Sequence, residues 1–228
     1  MSFDTTQSQS RVSVSLAVFV GLVIALFGSP LLGQLDVTDR LSTTTTGSVL
    51  INSVSMWALV AAVFAVVLFW ERRPLASIGL EMPTRRQAAV GIGAGLGALV
   101  LGILATGIAV AAFSLEQPET LSTIAELSLP VKLAIVATGV ITEEFLWRGY
   151  PIERLTELTG SLWIGGATSF VVFLAVHFPA WGIVGAIPQA VFALALVGVY
   201  LRTRNVVACI LTHAVINVVM VLVLPTFL

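Results

Sequence analysis

The chain has 228 residues, 57% of them hydrophobic and 10% charged, with a net charge of −1 and one cysteine, Cys209. Soluble domains average about 25% charged residues, so this composition excludes an ordinary soluble domain and fits a polytopic membrane protein. The charges cluster between apolar runs and form no basic face, so no nucleic-acid partner is expected; one cysteine excludes an internal disulfide framework and a multi-cysteine metal site.

Residues 1–11 are polar and read as a tail. The first apolar run, 12–32, is longer than the apolar region of a signal peptide and lacks a small-x-small cleavage site, so it is predicted to span the membrane. Residues 33–47 carry Asp36, Asp39, Arg40 and four consecutive threonines and read as a solvated loop. A second span is predicted over 49–70, with Trp57 and Trp70 near its interfaces. An arginine-rich stretch follows, with a modestly apolar loop at 75–80. The third span, 88–113, contains Gly91, Gly93, Gly95, Gly97 and Gly102, small residues that let membrane helices approach closely. Segment 12–113 is thus expected to supply three N-terminal transmembrane helices.

Residues 114–130 read as a polar, mildly acidic loop with Glu116, Glu119 and Glu126. A fourth span starts near Val131 and runs into the stretch 141–150. A polar segment follows over 153–160. Three further spans are predicted at 162–178, 187–201 and 206–224, with a turn at Pro179-Ala180-Trp181-Gly182. No repeat of 20–50 residues is present. The expected fold class is all-α, a membrane helix bundle of about seven transmembrane helices.

On that count Arg11, Arg72, Arg73, Arg85, Arg86, Arg148, Arg154, Arg202 and Arg204 fall on one side, and only Arg40 and Lys132 on the other. The positive-inside rule then places the N-terminus in the cytosol and the C-terminus outside. The expected setting is a multi-pass protein of a prokaryotic cell membrane, with lipid as its constant partner.

The stretch Ile141-Thr142-Glu143-Glu144-Phe145-Leu146-Trp147-Arg148-Gly149-Tyr150 carries two acids and a guanidinium at membrane depth. Each costs roughly 2.5–3.5 kcal/mol on insertion scales, and such residues mark functional sites by default. Glu144 and Arg148 are four residues apart with the acid first, the favourable order for a helical pair, and pairing spares both an isolated burial. Glu143 is turned about 100° away and meets Trp147 at the same spacing. An unpaired, partly buried carboxylate suits a general base. The two histidines, His177 and His213, both lie in apolar runs. His213 and Asn217 are four apart, share a face, and can both donate hydrogen bonds. Cys209, one turn earlier, reads as a small apolar packer.

Glu143-Glu144-x-x-x-Arg148, Phe173-x-x-x-His177 and His213-x-x-x-Asn217, in this order on successive apolar runs, resemble the CPBP group. These are the CAAX-prenyl-protease and bacteriocin-processing intramembrane endopeptidases, also called the Abi or type II CAAX protease family. The resemblance covers about residues 130–220 and makes 131–228 the catalytic four-helix core. It implies hydrolysis of a peptide bond inside the membrane, in a membrane-associated or prenylated substrate. By analogy Glu143 activates a water with His177 assisting, Glu144 belongs to the catalytic set, His213 and Asn217 stabilise the oxyanion, and Arg148 and Phe173 support the site. The family also admits a metalloprotease reading, in which Glu143, His177 and His213 hold zinc with water in the fourth place. The cofactor is therefore none or zinc. The arginine count predicts that His213 and Asn217 are reached from the cytosolic half of the membrane.

Other functions fit less well. No H-E-x-x-H, Gly-x-Ser-x-Gly or Gly-x-Gly-Asp motif of other intramembrane proteases is present. A proton-coupled transporter calls for inverted repeats and broken helices in both halves, whereas these polar groups sit only in the second half. A non-catalytic scaffold or immunity protein that retains the motif is the remaining alternative. Depth leaves one tension. At ~1.5 Å per residue, Glu143 lies roughly 18 Å below the outer face, His213 roughly 10 Å above the inner one, and His177 roughly 22 Å above it. A late start to the fifth span, or a short hairpin of the fifth and sixth helices inside the bilayer, removes the mismatch.

Overall fold

The computed structural model describes residues 5–35, 40–116 and 118–224, the first ten of these by backbone alone. Asp36, Asp39 and the last four residues lie outside the described residues. Among the described residues the regular structure is entirely helical. Five helices there are long and apolar enough to cross a membrane, and the chain is an integral, multi-pass membrane protein.

Helix α1 spans Thr5–Gln34 and so begins within the stretch read as a polar tail. Helix α2 spans Thr45–Ala65. Thr44 caps it by accepting from the Gly47 amide, and a π turn, Val66–Trp70, extends it. Trp57 is exposed on its outer side, and its indole donates to Thr138 of the neighbouring helix at 3.2 Å. Helix α3 spans Arg85–Phe113 and opens on a capping box between Thr84 and Gln87, which satisfies two otherwise orphaned donors reciprocally. A short helix α4, Glu119–Glu126, occupies part of the expected acidic loop. Helix α5, Leu129–Glu143, runs through a π turn, Glu144–Gly149, into helix α6, Tyr150–Thr159. The last of these covers most of the stretch read as a polar segment. Both short helices are amphipathic and carry charge, so they resemble loops to any reading tuned to long apolar runs.

The fifth and sixth expected spans form one helical run, α7, Leu162–Thr203, broken at Gly182. There φ is 59° and ψ −163°, a conformation essentially restricted to glycine. The two limbs, 162–181 and 183–203, fold back on each other: a Cβ added to Gly166 would lie 3.1 Å from Val197 and Leu201 atoms. Each limb is about 30 Å long at 1.5 Å per residue, so the second limb is longer than the run 187–201 suggested. Helix α8 spans Val206–Asn217, capped by Asn205, and ends in a third π turn, Val218–Val223.

Helix α3 packs on α7 and α8. Its glycines divide by face. A Cβ on Gly91 would lie 2.4 Å from the Ala208 carbonyl oxygen, and one on Gly95 2.8 Å from that of Thr212; these two set the approach of α8. Gly93 and Gly97 face open space and have no part in packing. The outer face of α3, with Leu96, Val100, Leu104 and Ile108 exposed, forms a lipid-facing stripe at i, i+4 spacing.

At the arginine-bearing end, α6 is clamped to the segment between α2 and α3. Arg154 is fully buried and donates to Glu71 from Nη2 at 2.6 Å and Nε at 2.9 Å. Tyr150 donates to the other oxygen of Glu71 at 2.7 Å. Arg73 pairs with Glu157, and Arg204 with Glu153. Tyr200 also donates to Glu153, at 2.8 Å. Each buried charge here has a partner, as burial demands.

Candidate active site

The π turn is the scaffold. Its i→i+5 bond runs from the Tyr150 amide to the Phe145 carbonyl. The wider winding leaves carbonyls without helical donors, and side chains take them: Ser169 donates to Trp147 and Tyr200 to Gly149 at 3.3 Å. Single π turns of this kind are frequent at functional sites.

Glu144 and Arg148 pair at 3.2 Å with both side chains wholly buried, as the i, i+4 spacing predicted. The guanidinium lies 4.0 Å from the Phe173 ring centroid, so a carboxylate meets one edge of the cation and a π face meets its flat side. Glu144 has a second partner that the sequence did not disclose. His213 Nδ1 donates to the same carboxylate oxygen, Oε1, at 2.7 Å. The residue expected as a free oxyanion donor is therefore held by an acid 69 positions away.

Glu143 takes the opposite environment. Its side chain is 17% exposed and lies 3.8 Å from His177, Oε2 to Nε2. His177 Nδ1 lies 2.8 Å from the Phe173 carbonyl oxygen. A carbonyl only accepts, so Nδ1 carries a proton, and in the neutral ring that leaves Nε2, which faces Glu143, as the acceptor. Trp147 packs edge-on against both Phe173 and His177 and fixes the ring plane. Helix α7 starts at Leu162 and its limbs are full length, so neither the late start nor the short hairpin is found, yet His177 stands beside Glu143.

Gly139, one turn before Glu143, marks where the fourth residue arrives. A Cβ there would touch both Asn217 Nδ2 at 3.4 Å and Glu143 Oε1 at 3.5 Å. Glu143, His177, His213 and Asn217 all line one cavity of about 870 Å³. Cys209 is buried beside α7, with its Sγ 3.5 Å from the Leu196 carbonyl, and packs as expected.

Two expectations change. The cavity wall continues through residues 45–56 of α2, 103–110 of α3, α4 and 220–224 after α8. These are the halves of their helices away from the arginine-bearing loops, so His213 and Asn217 are reached from the opposite end to the one predicted. The zinc set also fails on spacing. Both histidines anchor Nδ1 and free Nε2, as zinc ligands do. Yet among the described residues no three His, Cys, Asp or Glu side chains converge closely enough to hold a metal ion; of the proposed ligands only Glu143 and His177 approach each other. Elemental analysis of the purified protein is expected to find no stoichiometric zinc. Stoichiometric zinc in the wild type, lost in His213→Ala, would contradict this.

A multi-pass helical membrane protein with buried acids and histidines gathered at the floor of a cavity is the class these features define. The family model described as type II CAAX prenyl endopeptidase Rce1-like matches residues 124–219, so that segment is similar to the type II CAAX prenyl endopeptidases. No match to the chain was found among curated proteins or among solved structures.

Proposed function

We propose that this protein is an intramembrane endopeptidase that crosses the membrane seven times with its arginine-rich loops in the cytosol. In this reading it hydrolyses a peptide bond with a water held between Glu143 and His177. The observation that carries the reading is the 3.8 Å separation of Glu143 Oε2 and His177 Nε2 at the cavity floor. Both atoms accept hydrogen bonds, and one water donates to both at that separation. Glu143 takes a proton as the water oxygen bonds to the scissile carbonyl carbon. The carbonyl electrons move onto oxygen, then return as the C–N bond breaks and the proton passes to the departing amine. No metal takes part.

The developing oxyanion is met by Asn217 Nδ2, a donor in any protonation state. His213 contributes differently. Its Nδ1–H is committed to Glu144, so its Nε2 can donate only when the ring also carries a second proton. Asn217→Ala is therefore expected to lower kcat with little change in KM, because the lost bond acts on charge present only in the transition state. The loss is about 10²–10³-fold, as for other single oxyanion donors. A rise in KM with unchanged kcat would assign Asn217 to substrate binding instead.

The proposal is tested by comparing membrane peptides from cells making the wild type with those from cells making Glu143→Gln. Peptide termini that depend on Glu143 are expected. Identical peptide sets, at equal protein levels, would leave the scaffold reading in place.

A further inference from the structure

The two ends of the bundle differ in charge and in access. At one end the pairs Arg154–Glu71, Arg73–Glu157 and Arg204–Glu153 join α6, the segment before α3 and the end of α7. Arg72, Arg85, Arg86 and Arg202 stand at the same end. The other end is built from α4, the Gly182 fold-back, the start of α2 and the close of α8. Thr120 of α4 donates to the Ala180 carbonyl there at 2.6 Å. Its basic residues are Arg40 and Lys132 alone among the described residues, against Glu116, Glu119 and Glu126. The cavity runs from the catalytic floor to this arginine-poor end. Toward the arginine-rich end the floor is backed by the buried Glu144–Arg148–His213 cluster and then by Tyr150 and Tyr200, both wholly buried.

Arginine-rich loops stay cytosolic. We infer that the cavity opens on the extracytoplasmic face and takes an uncharged polypeptide segment presented from that side. This rests on the endopeptidase reading for the word segment, but not for the orientation. The lining supports the chemistry as well as the direction. Among the described residues Glu143 is the only Asp, Glu, Lys or Arg lining the cavity; its companions are apolar or, as with Asn52, Thr106, Thr123 and Gln189, polar and uncharged. An Asp or Glu in the bound segment would be desolvated with no Lys or Arg to pair with, and a Lys or Arg would find a carboxylate only at the catalytic Glu143. Such a substrate is a membrane-proximal stretch of an exported or lipid-held chain, not the tail of a cytosolic protein.

Cysteine labelling decides the orientation. The native Cys209 is wholly buried and gives a silent background. Thr123→Cys and Thr45→Cys place a thiol on exposed positions at the cavity mouth; Arg86→Cys and Arg202→Cys place one on exposed positions at the other end. A membrane-impermeant maleimide is applied to intact cells and again after permeabilisation, the second value giving the protein present. The mouth positions are expected to label fully before permeabilisation and the arginine-end positions only afterwards. The reverse pattern, or labelling of the mouth positions only after permeabilisation, overturns the inference. Neither result depends on catalysis, so a chain that labels as expected but yields no Glu143-dependent peptides refutes the endopeptidase reading alone. Where such peptides exist, their cut sites are expected in charge-free, extracytoplasmic segments; cuts beside charged residues in cytosolic tails overturn the substrate class.

Discussion

Glu143→Gln should lower the turnover of the purified enzyme by at least about 10²-fold, the lower range for removal of a general base. The substitution keeps the side chain's shape and its contact with Gly139, and replaces a proton acceptor by an amide. Glu143 is partly exposed to the cavity and its nearest charged or titratable neighbour is His177, so the amide neither strands a partner nor opens a void. Protein level and melting temperature should hold. Near-normal turnover in Glu143→Gln would remove Glu143 from the chemistry and leave Glu144 as the acid to be tested: Arg148 and His213 both meet its Oε1, and its buried Oε2 has no partner.

Arg148→Ala should act on the fold first. Both members of the Glu144–Arg148 pair are wholly buried, and removing one partner of such a pair typically costs about 3–5 kcal/mol because the other charge is left uncompensated. Here the loss is compounded. Phe173 would lose the cation that covers its face, and Glu144 would keep only His213. The expected result is a lower folded yield and a lower melting temperature in detergent, with activity falling alongside. Arg148→Lys should recover little, since an ammonium has neither the planar face that stacks on Phe173 nor the fork that meets a carboxylate. An unchanged melting point for Arg148→Ala would show that the pair does not hold the site.

What could be read from the sequence follows the range of the interactions. Glu144–Arg148 was legible because four residues on a helix settle it. The turn near Gly182 was legible from Pro179 and the glycine itself, though not that the two limbs form one broken helical run. Gly91 and Gly95, which pack on α8, could not be told from Gly93 and Gly97, which do not, because only the position of α8 separates them. Glu144–His213 lay beyond reach: no local pattern couples residues in α8 to an acid after α5. The direction of the cavity was also hidden. Counting arginines located the surface nearest to His213, but the buried cluster beneath it closes that route, and closure is a property of packed side chains.

The π turn at 144–149 has a consequence for how the molecule tolerates length change. On its α5 side, Glu143 must face the cavity. On its α6 side, Arg154 must face Glu71 and Tyr150 must reach the same carboxylate. The wider turn supplies the angular offset between these two layers, like a phase correction between two gears on one shaft. Rewinding this turn as regular α-helix with no residue removed would rotate one layer against the other by about 100°, so the stretch tolerates the loss of one residue only together with the loss of the π turn. A chain rewound at full length could keep its acid on the cavity or its arginine on Glu71, but not both, whereas the lipid-facing stripe of α3 has no such register to lose.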